Sequence, residues 1–236
     1  MNKKEFSEGV KDSFPIALGY FSVSFTFGIL AADYGIDPVT AGAISLFNVT
    51  SAGQFAGLTL YAASAPYFEL FLTQLIINLR YALMSLTLTQ KLHKNMTTPK
   101  RLLISYGVTD EIFAVAVTKE KPLTLPYMLG LEWVPILSWT FGTILGAIAN
   151  NLLPASIQSA LGIALYGMFV AIVLPVAKEN KAVLFVALIA LMLSCLFYYV
   201  PGLNGISSGF SIILCTLLAA GVGAYLFPTP DEEVEL

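Results

Sequence analysis

Hydrophobic positions fill long stretches of this chain, and charges interrupt them at only a few points. No Asp, Glu, Lys or Arg occurs in 13–32, 38–68, 133–177 or 182–230. Roughly 20 apolar residues cross a bilayer as a helix, so the last two runs are each long enough for two crossings. Four plain spans are predicted near 125–148, 157–177, 182–200 and 205–227, separated by turn residues such as Asn150-Asn151, Pro154 and Pro201-Gly202. Ahead of them, helices are predicted over 13–32 and from Glu69 to Lys91. That makes six full transmembrane helices.

Two segments do not fit this scheme. The run 38–68 is long for one helix and too short for two spans with a turn. Its centre, Asn48-Val49-Thr50-Ser51-Ala52-Gly53-Gln54, is polar and small, as a broken or re-entrant helix requires. Residues 101–118 repeat the problem, because Gly107-Val108-Thr109-Asp110-Glu111 sets two carboxylates inside an otherwise apolar stretch. The basic residues choose between topologies. If 40–66 and 101–118 are hairpins that enter and leave on one side, every Lys and Arg except Arg80 falls on the cytoplasmic face. If both segments cross fully, the cluster from Lys91 to Arg101 is thrown outside.

The expected architecture is therefore an all-α polytopic membrane protein: six full transmembrane helices plus two broken or re-entrant hairpins, with both termini cytoplasmic. Units 12–66 and 67–121 then run in opposite orientations, the inverted-repeat plan of many secondary transporters. That repeat rests on charge and parity alone. A four-helix part, 122–228, and an acidic tail, 229–236, complete a single integral-membrane domain.

Composition agrees and narrows the function classes. The chain is 57% hydrophobic and 11% charged, with a mean hydropathy of +0.78, against about 25% charged residues in soluble domains. A soluble enzyme is excluded. The net charge of −3 says little, since many acidic groups sit near the ends, and no basic block suggests nucleic acid. Cys195 and Cys215 read as small core residues, and the single histidine, His93, lies in a polar loop. No metal centre or cofactor is expected. The first apolar run is too long for a signal-peptide core and lacks an A-x-A-type cleavage site, so it reads as a retained helix.

Candidate chemistry lies inside the membrane. Gln74, Asn78, Tyr81 and Ser85 fall on one helix face, either as polar glue between helices or as part of a polar path. A stripe of Pro15, Gly19, Ser22 and Thr26 on the first helix reads as close packing. Arg80 is near the bilayer centre, where an arginine costs roughly 2.5–3.5 kcal/mol, so it needs a partner or a wet cavity. Its readings are an ion pair with Asp110 or Glu111, or a site for a substrate carboxylate or for coupling. Thr109 can cap a half-helix starting at Asp110, leaving N–H groups directed into the membrane. Asp110 and Glu111 suit an ammonium group or a proton, and they point about 100° apart, so at most one of them is expected to face a given cavity. Glu132 is either interfacial or functional. Gly142-x-x-x-Gly146 and Gly205-x-x-x-Gly209 are close-packing motifs.

Taken in order, these residues resemble a known family. The resemblance begins with Phe6-Ser7-Glu8-Gly9-Val10-Lys11-Asp12-Ser13-Phe14-Pro15-Ile16 and Phe25-Thr26-Phe27-Gly28. It continues through Ser51-Ala52-Gly53-Gln54-Phe55, Asn78-Leu79-Arg80-Tyr81 and Gly107-Val108-Thr109-Asp110-Glu111-Ile112-Phe113-Ala114. It ends with Ser138-Trp139-Thr140-Phe141-Gly142-Thr143-Ile144-Leu145-Gly146-Ala147. The set is similar to the AzlC-type large subunit of branched-chain amino-acid exporters, the LIV-E family.

The resemblance implies export of leucine, isoleucine and valine, often with methionine or analogues, driven by the proton-motive force. It also implies a small AzlD-type membrane subunit as partner, and the cytoplasmic membrane of a prokaryote as location. Tyr81 stands where many members carry His, so a protonation role there does not transfer. Gly-x-x-x-x-Gly-Lys-Ser/Thr is absent, so ATP-driven transport is not expected. A zwitterionic ligand needs donors and acceptors at one place. Ser51, Gly53, Gln54, Asn78, Arg80 and Thr109 are the expected substrate contacts, with Asp110 or Glu111 taking the ammonium or a proton. Phe25, Phe55 and Phe113 are candidates for an apolar wall. The competing class is a passive channel for small polar solutes or ions.

Overall fold

The computed structural model describes residues 2–154, 156, 160, 167, 170 and 173–228. In chain order the helices are α1 (Lys3–Asp33), α2 (Pro38–Phe47), α3 (Ser51–Ala62), α4 (Tyr67–Lys91), α5 (Thr98–Tyr106) and α6 (Asp110–Val117). They continue with α7 (Leu125–Ala149), a short turn Asn150–Leu152, α8 (Lys181–Tyr199) and α9 (Ser208–Leu226). Five of them, α1, α4, α7, α8 and α9, are long and apolar enough to cross a membrane. The span predicted near 157–177 falls largely outside the described residues, and the tail 229–236 falls wholly outside them. The chain forms two compact units, residues 1–58 with 77–165, and residues 59–76 with 166–236.

The first unit is built on α1 and α7, which run parallel with their main chains in contact. A Cβ placed on Gly28 would lie 2.0 Å from the Thr143 carbonyl oxygen, and one on Gly146 would lie 2.0 Å from that of Phe25. Glycine is required at both positions because backbone, not a movable side chain, fills the space. Gly142-x-x-x-Gly146 thus packs against Phe21, Ser24 and Phe25 of α1. The face of α1 that packs is Gly9, Ser13, Ala17, Ser24 and Gly28, all buried. This corrects the predicted stripe, of which Thr26 alone is buried. Pro15, Gly19 and Ser22 are exposed, and a Cβ on Gly19 would meet nothing within 4 Å. Small residues occur on both faces, and the matching glycines of α7 decide which one is covered.

Both awkward segments are broken helices, interrupted at 48–50 and 107–109. Ahead of the first break, Gly35 takes φ +79°. Its N–H bonds to Ala32 O and that of Ile36 to Ala31 O, both at 2.9 Å, the Schellman closure that ends α1. Asp37 then caps α2 by accepting from Val39 and Thr40 N–H at 3.0 Å, with Pro38 at the first helical position. Ala41 of α2 and Leu58 of α3 share an apolar cluster with Phe27, Ala31 and Ala147. The pair therefore doubles back.

The second broken segment also returns to its starting point. Leu123 N–H donates to Lys91 O at 2.8 Å, and His93 N–H donates to Leu123 O at 2.9 Å. Lys91 Nζ reaches the carbonyls of Val117 and Lys119. Leu88, Met96, Ile104, Val108, Ile112 and Met128 fill the space between entry and exit. The exit is tied to the start of α1, where Lys119 Nζ pairs with Glu8 at 2.9 Å and Asp12 at 2.7 Å. Those carboxylates hold the Lys119 ammonium well above the usual lysine range. Tyr127 donates to Asp12 at 2.9 Å and Thr124 to Glu5 at 2.8 Å. These partners, with the Asn2 cap on Lys4 N–H, explain why α1 begins at Lys3 rather than 13.

In the second unit α8 packs against α9, with Phe185 and Phe227 edge to face at 5.6 Å. Glu69, 4% exposed, accepts from Gly209 N–H at 3.0 Å. A carboxylate at the first turn of α9 complements its dipole. The turn residues 201–205, with Gly202 at φ +95°, delay α9 to Ser208, so Gly205 lies outside the helix. None of the α8 residues is buried. Cys195 is accordingly exposed and Cys215 only half-covered, which corrects their expected core positions.

Candidate functional site

Both helix breaks belong to the first unit, and they face each other. Val49, Thr50 and Ser51 from one and Thr109, Asp110 and Glu111 from the other line a single cavity with Tyr20 of α1, Tyr81 of α4 and Trp139 of α7. Its volume is about 10 Å³, on the scale of one water molecule. The site is closed.

The two elbows are built alike. Each reads x-Val-Thr, as Asn48-Val49-Thr50 and Gly107-Val108-Thr109. Each threonine oxygen caps the half-helix that follows, accepting from Gly53 N–H and from Ile112 N–H at 3.4 Å. Each cap is also met by a tyrosine from the long helix that precedes the other broken segment. Tyr20 Oη lies 2.6 Å from Thr109 Oγ1, and Tyr81 is hydrogen-bonded to Thr50. Tyr106 at the end of α5 donates to Leu46 O at the end of α2, so the elbows also touch through their first halves.

Both adjacent carboxylates line this cavity, which corrects the expectation that at most one would, because the cavity is bordered by the break itself; their partners differ. Asp110 Oδ2 pairs with Arg80 Nη1 at 2.6 Å, the two side chains being 38% and 39% exposed. Glu111 Oε2 receives a hydrogen bond from Tyr20 Oη at 2.5 Å. Arg80 also donates to Tyr81 Oη at 3.2 Å and stacks over its ring at 4.9 Å. Of the two pairing partners open to Arg80, the structure selects Asp110. Arg80 is thus committed to Asp110, and among the described residues no cation pairs with Glu111.

The other predicted contacts have different settings. Gln54 is 2% exposed and engaged at both ends of its amide, accepting from Trp139 Nε1 at 2.7 Å and donating to Ser45 Oγ at 2.8 Å. Ser45 in turn bonds to Thr143 at 2.7 Å. This chain fastens the first elbow to α7. Gly53 lies behind Ser51 as the donor to the Thr50 cap. Asn78 is half-buried on α4, close in sequence to Arg80 but outside the cavity lining. Phe55 packs edge to face on Phe27 at 5.3 Å. Among the described residues, no group of three or more His, Cys, Asp and Glu is placed to hold a metal.

Sequence reading did not single out Tyr20, Thr50 or Trp139. The signal available was the recurrence of x-Val-Thr at both breaks, together with polar aromatic residues in otherwise apolar helices. A larger groove of about 760 Å³ lies in the second unit, lined by Ser194, Asn204, Ser208, Ser211, Cys215 and Thr216 among others. Its described lining residues include no charged side chain.

Comparison with known proteins agrees with a membrane role. The inner membrane protein YgaZ of Escherichia coli K12 is 29% identical over 96% of this chain and 94% of its own length. An uncharacterized membrane protein of Archaeoglobus fulgidus is 36% identical over 73% of this chain and 76% of its own. A membrane protein of Helicobacter pylori is 30% identical over 62% and 67%. No solved structure matches. The model of the family described as AzlC protein matches residues 15–153, more than half of the sequence and the whole of both elbows. The chain is a helical membrane protein of the AzlC family.

Proposed function

We propose that this protein is a secondary transporter that exports branched-chain amino acids, coupled to protons, as the large subunit of a two-component system. The observation that carries this reading is the pair of capped elbows enclosing one carboxyl group, Glu111, that Arg80 does not pair with. An amino acid presents an ammonium and a carboxylate on the same α-carbon. Glu111 suits the ammonium, while the first-turn N–H groups of α3 and the hydroxyls of Thr50 and Ser51 suit the carboxylate. Thr109, with Asp110 held by Arg80, completes the polar wall.

A cavity of about 10 Å³ holds no leucine, so transport requires the elbows to separate. The matched elbows and their exchanged tyrosine contacts favour an inverted repeat of 12–66 and 67–121, in which opening one elbow and then the other gives alternating access. An AzlD-type small subunit is the partner this reading includes. The uncovered apolar surface of α8 is compatible with it.

Reconstituted proteoliposomes test the function. Saturable leucine flux that responds to a pH gradient is expected, whereas unsaturated conductance points to a channel and defeats the carrier reading. Orientation is tested separately. With both termini and the second hairpin on the cytoplasmic side, Lys94→Cys is expected to react with impermeant thiol reagent only from the cytoplasm. Labelling from outside would overturn that topology.

A further inference from the structure

The elbow site leaves Glu132 without a role, yet its setting is unusual. Glu132 lies within α7 and is 1% exposed. It faces the second elbow. A Cβ on Gly107 would lie 2.7 Å from the Cβ, Cγ and Oε2 of Glu132, so the glycine lets the broken backbone rest directly on the carboxyl group. Oε1 has no hydrogen-bond partner. Val108, Met128 and Leu131 at this level belong to the apolar cluster of the unit.

The titratable groups on the packed elements are exposed or committed elsewhere. On α1, Glu8 and Asp12 hold Lys119, Glu5 accepts from Thr124, Tyr20 holds Glu111 and Asp33 accepts from Asn150; Lys3, Lys4 and Lys11 are exposed. On the second hairpin, Asp110 holds Arg80, Tyr106 bonds to Leu46 O and Arg101 to Met96 O; Lys100 is exposed. On α7 itself Tyr127 bonds to Asp12. The sequence of α2 has no titratable side chain. A carboxylate left among apolar groups with neither cation nor donor is strongly disfavoured, and such a group is neutral instead.

We propose that Glu132 is a proton-binding site governed by the second elbow: it holds a proton while Gly107 packs on it and releases that proton when the elbow withdraws. The site is distinct from the substrate cluster and gives the transport reading, on which its coupling role rests, a place for the driving ion. Elbow motion admits water to the carboxyl group, so ionisation and opening occur together. The O–H bond of the acid breaks as the proton forms an O–H bond to an admitted water molecule, and the reverse transfer reloads the site.

Infrared spectroscopy of the purified full chain tests the site without requiring transport. A protonated-carboxyl band at neutral pH is expected, and Glu132→Gln should remove it. Gly107→Ala keeps the carboxyl group but forces the elbow off it, and should move the disappearance of the band towards more acid pH. In proteoliposomes, Glu132→Gln should lose gradient-driven leucine flux far more than leucine counterflow. An unchanged band in Glu132→Gln overturns the proposal. So does a parallel loss of both fluxes in a variant that still elutes like the parent. If Glu132→Gln does not fold, a Gly107→Ala band with the parent's pH dependence overturns it instead. If the parent protein moves no amino acid, the transport reading fails while the band still decides whether Glu132 binds the proton.

Discussion

Gly28→Val is expected to destroy the folded protein, while Gly19→Val, nine residues earlier on the same helix, is expected to leave it intact. A Cβ at Gly28 would lie 2.0 Å from the Thr143 carbonyl oxygen and 2.7 Å from Ala147 N. Both are backbone atoms of α7, so no rotamer change relieves the clash and the two helices must separate along their length. Overpacking a core costs about 1–3 kcal/mol where side chains can shift. Here the cost lies at or above that upper end, against a total stability of about 5–15 kcal/mol. Gly19 has nothing within 4 Å, and substitutions at such sites stay within about 0.5 kcal/mol. Melting of each detergent-purified variant, followed by size-exclusion chromatography, separates them. A Gly28→Val protein that melts like the parent would show that α1 and α7 do not pack main chain to main chain.

The same pair shows where sequence reading stops. Helix breaks were legible because Asn48–Gln54 and Gly107–Glu111 interrupt apolar runs with residues that cap or turn. The parity of the basic residues further favoured hairpins over crossings, and the backbone doubles back at both places. The packing face of α1 was not legible. Gly19 and Gly28 are both small residues in a uniformly apolar helix, and only the glycines of α7, more than a hundred residues away, decide between them. The start of α1 was misplaced for a related reason. Glu5, Glu8 and Asp12 look like a solvated head until Lys119, Thr124 and Tyr127 arrive as partners.

The site was legible in part. Asp110 and Glu111 stood out as charges in an apolar stretch, and Arg80 as a charge that needed a partner. Local sequence does not state which carboxylate takes Arg80, since the choice depends on how α4 lies against the second elbow. Gln54 illustrates the converse. A glutamine amid small residues suggests a ligand contact, whereas Trp139 and Ser45 engage both ends of its amide. A polar residue's type tells what it can bond to, and the tertiary fold determines what it does bond to.

The two neutral variants of the second elbow are expected to fail in different ways. Asp110→Asn strips Arg80 of its counter-ion at 2.6 Å. Removing one member of a fully buried pair costs about 3–5 kcal/mol. These side chains are 38% and 39% exposed, so solvent screening reduces the expected loss to about 1–2 kcal/mol. Adding Arg80→Gln should restore part of that loss, a non-additivity that a double-mutant cycle reads directly. Glu111→Gln leaves no cation unpaired, and its amide oxygen still accepts from Tyr20, so its melting temperature should stay close to the parent's. What it removes is the charge that would meet the substrate ammonium. A hydrogen bond to a charged group contributes about 1.5–3 kcal/mol, which corresponds to a loss of roughly 10- to 100-fold in leucine affinity. Leucine-dependent thermal shift and counterflow in proteoliposomes measure that loss. The expected pattern is a less stable Asp110→Asn protein and a stable Glu111→Gln protein that binds leucine roughly 10- to 100-fold more weakly. If both variants carry leucine normally with the parent's pH dependence, the elbow cluster is a structural ion pair and the substrate binds elsewhere.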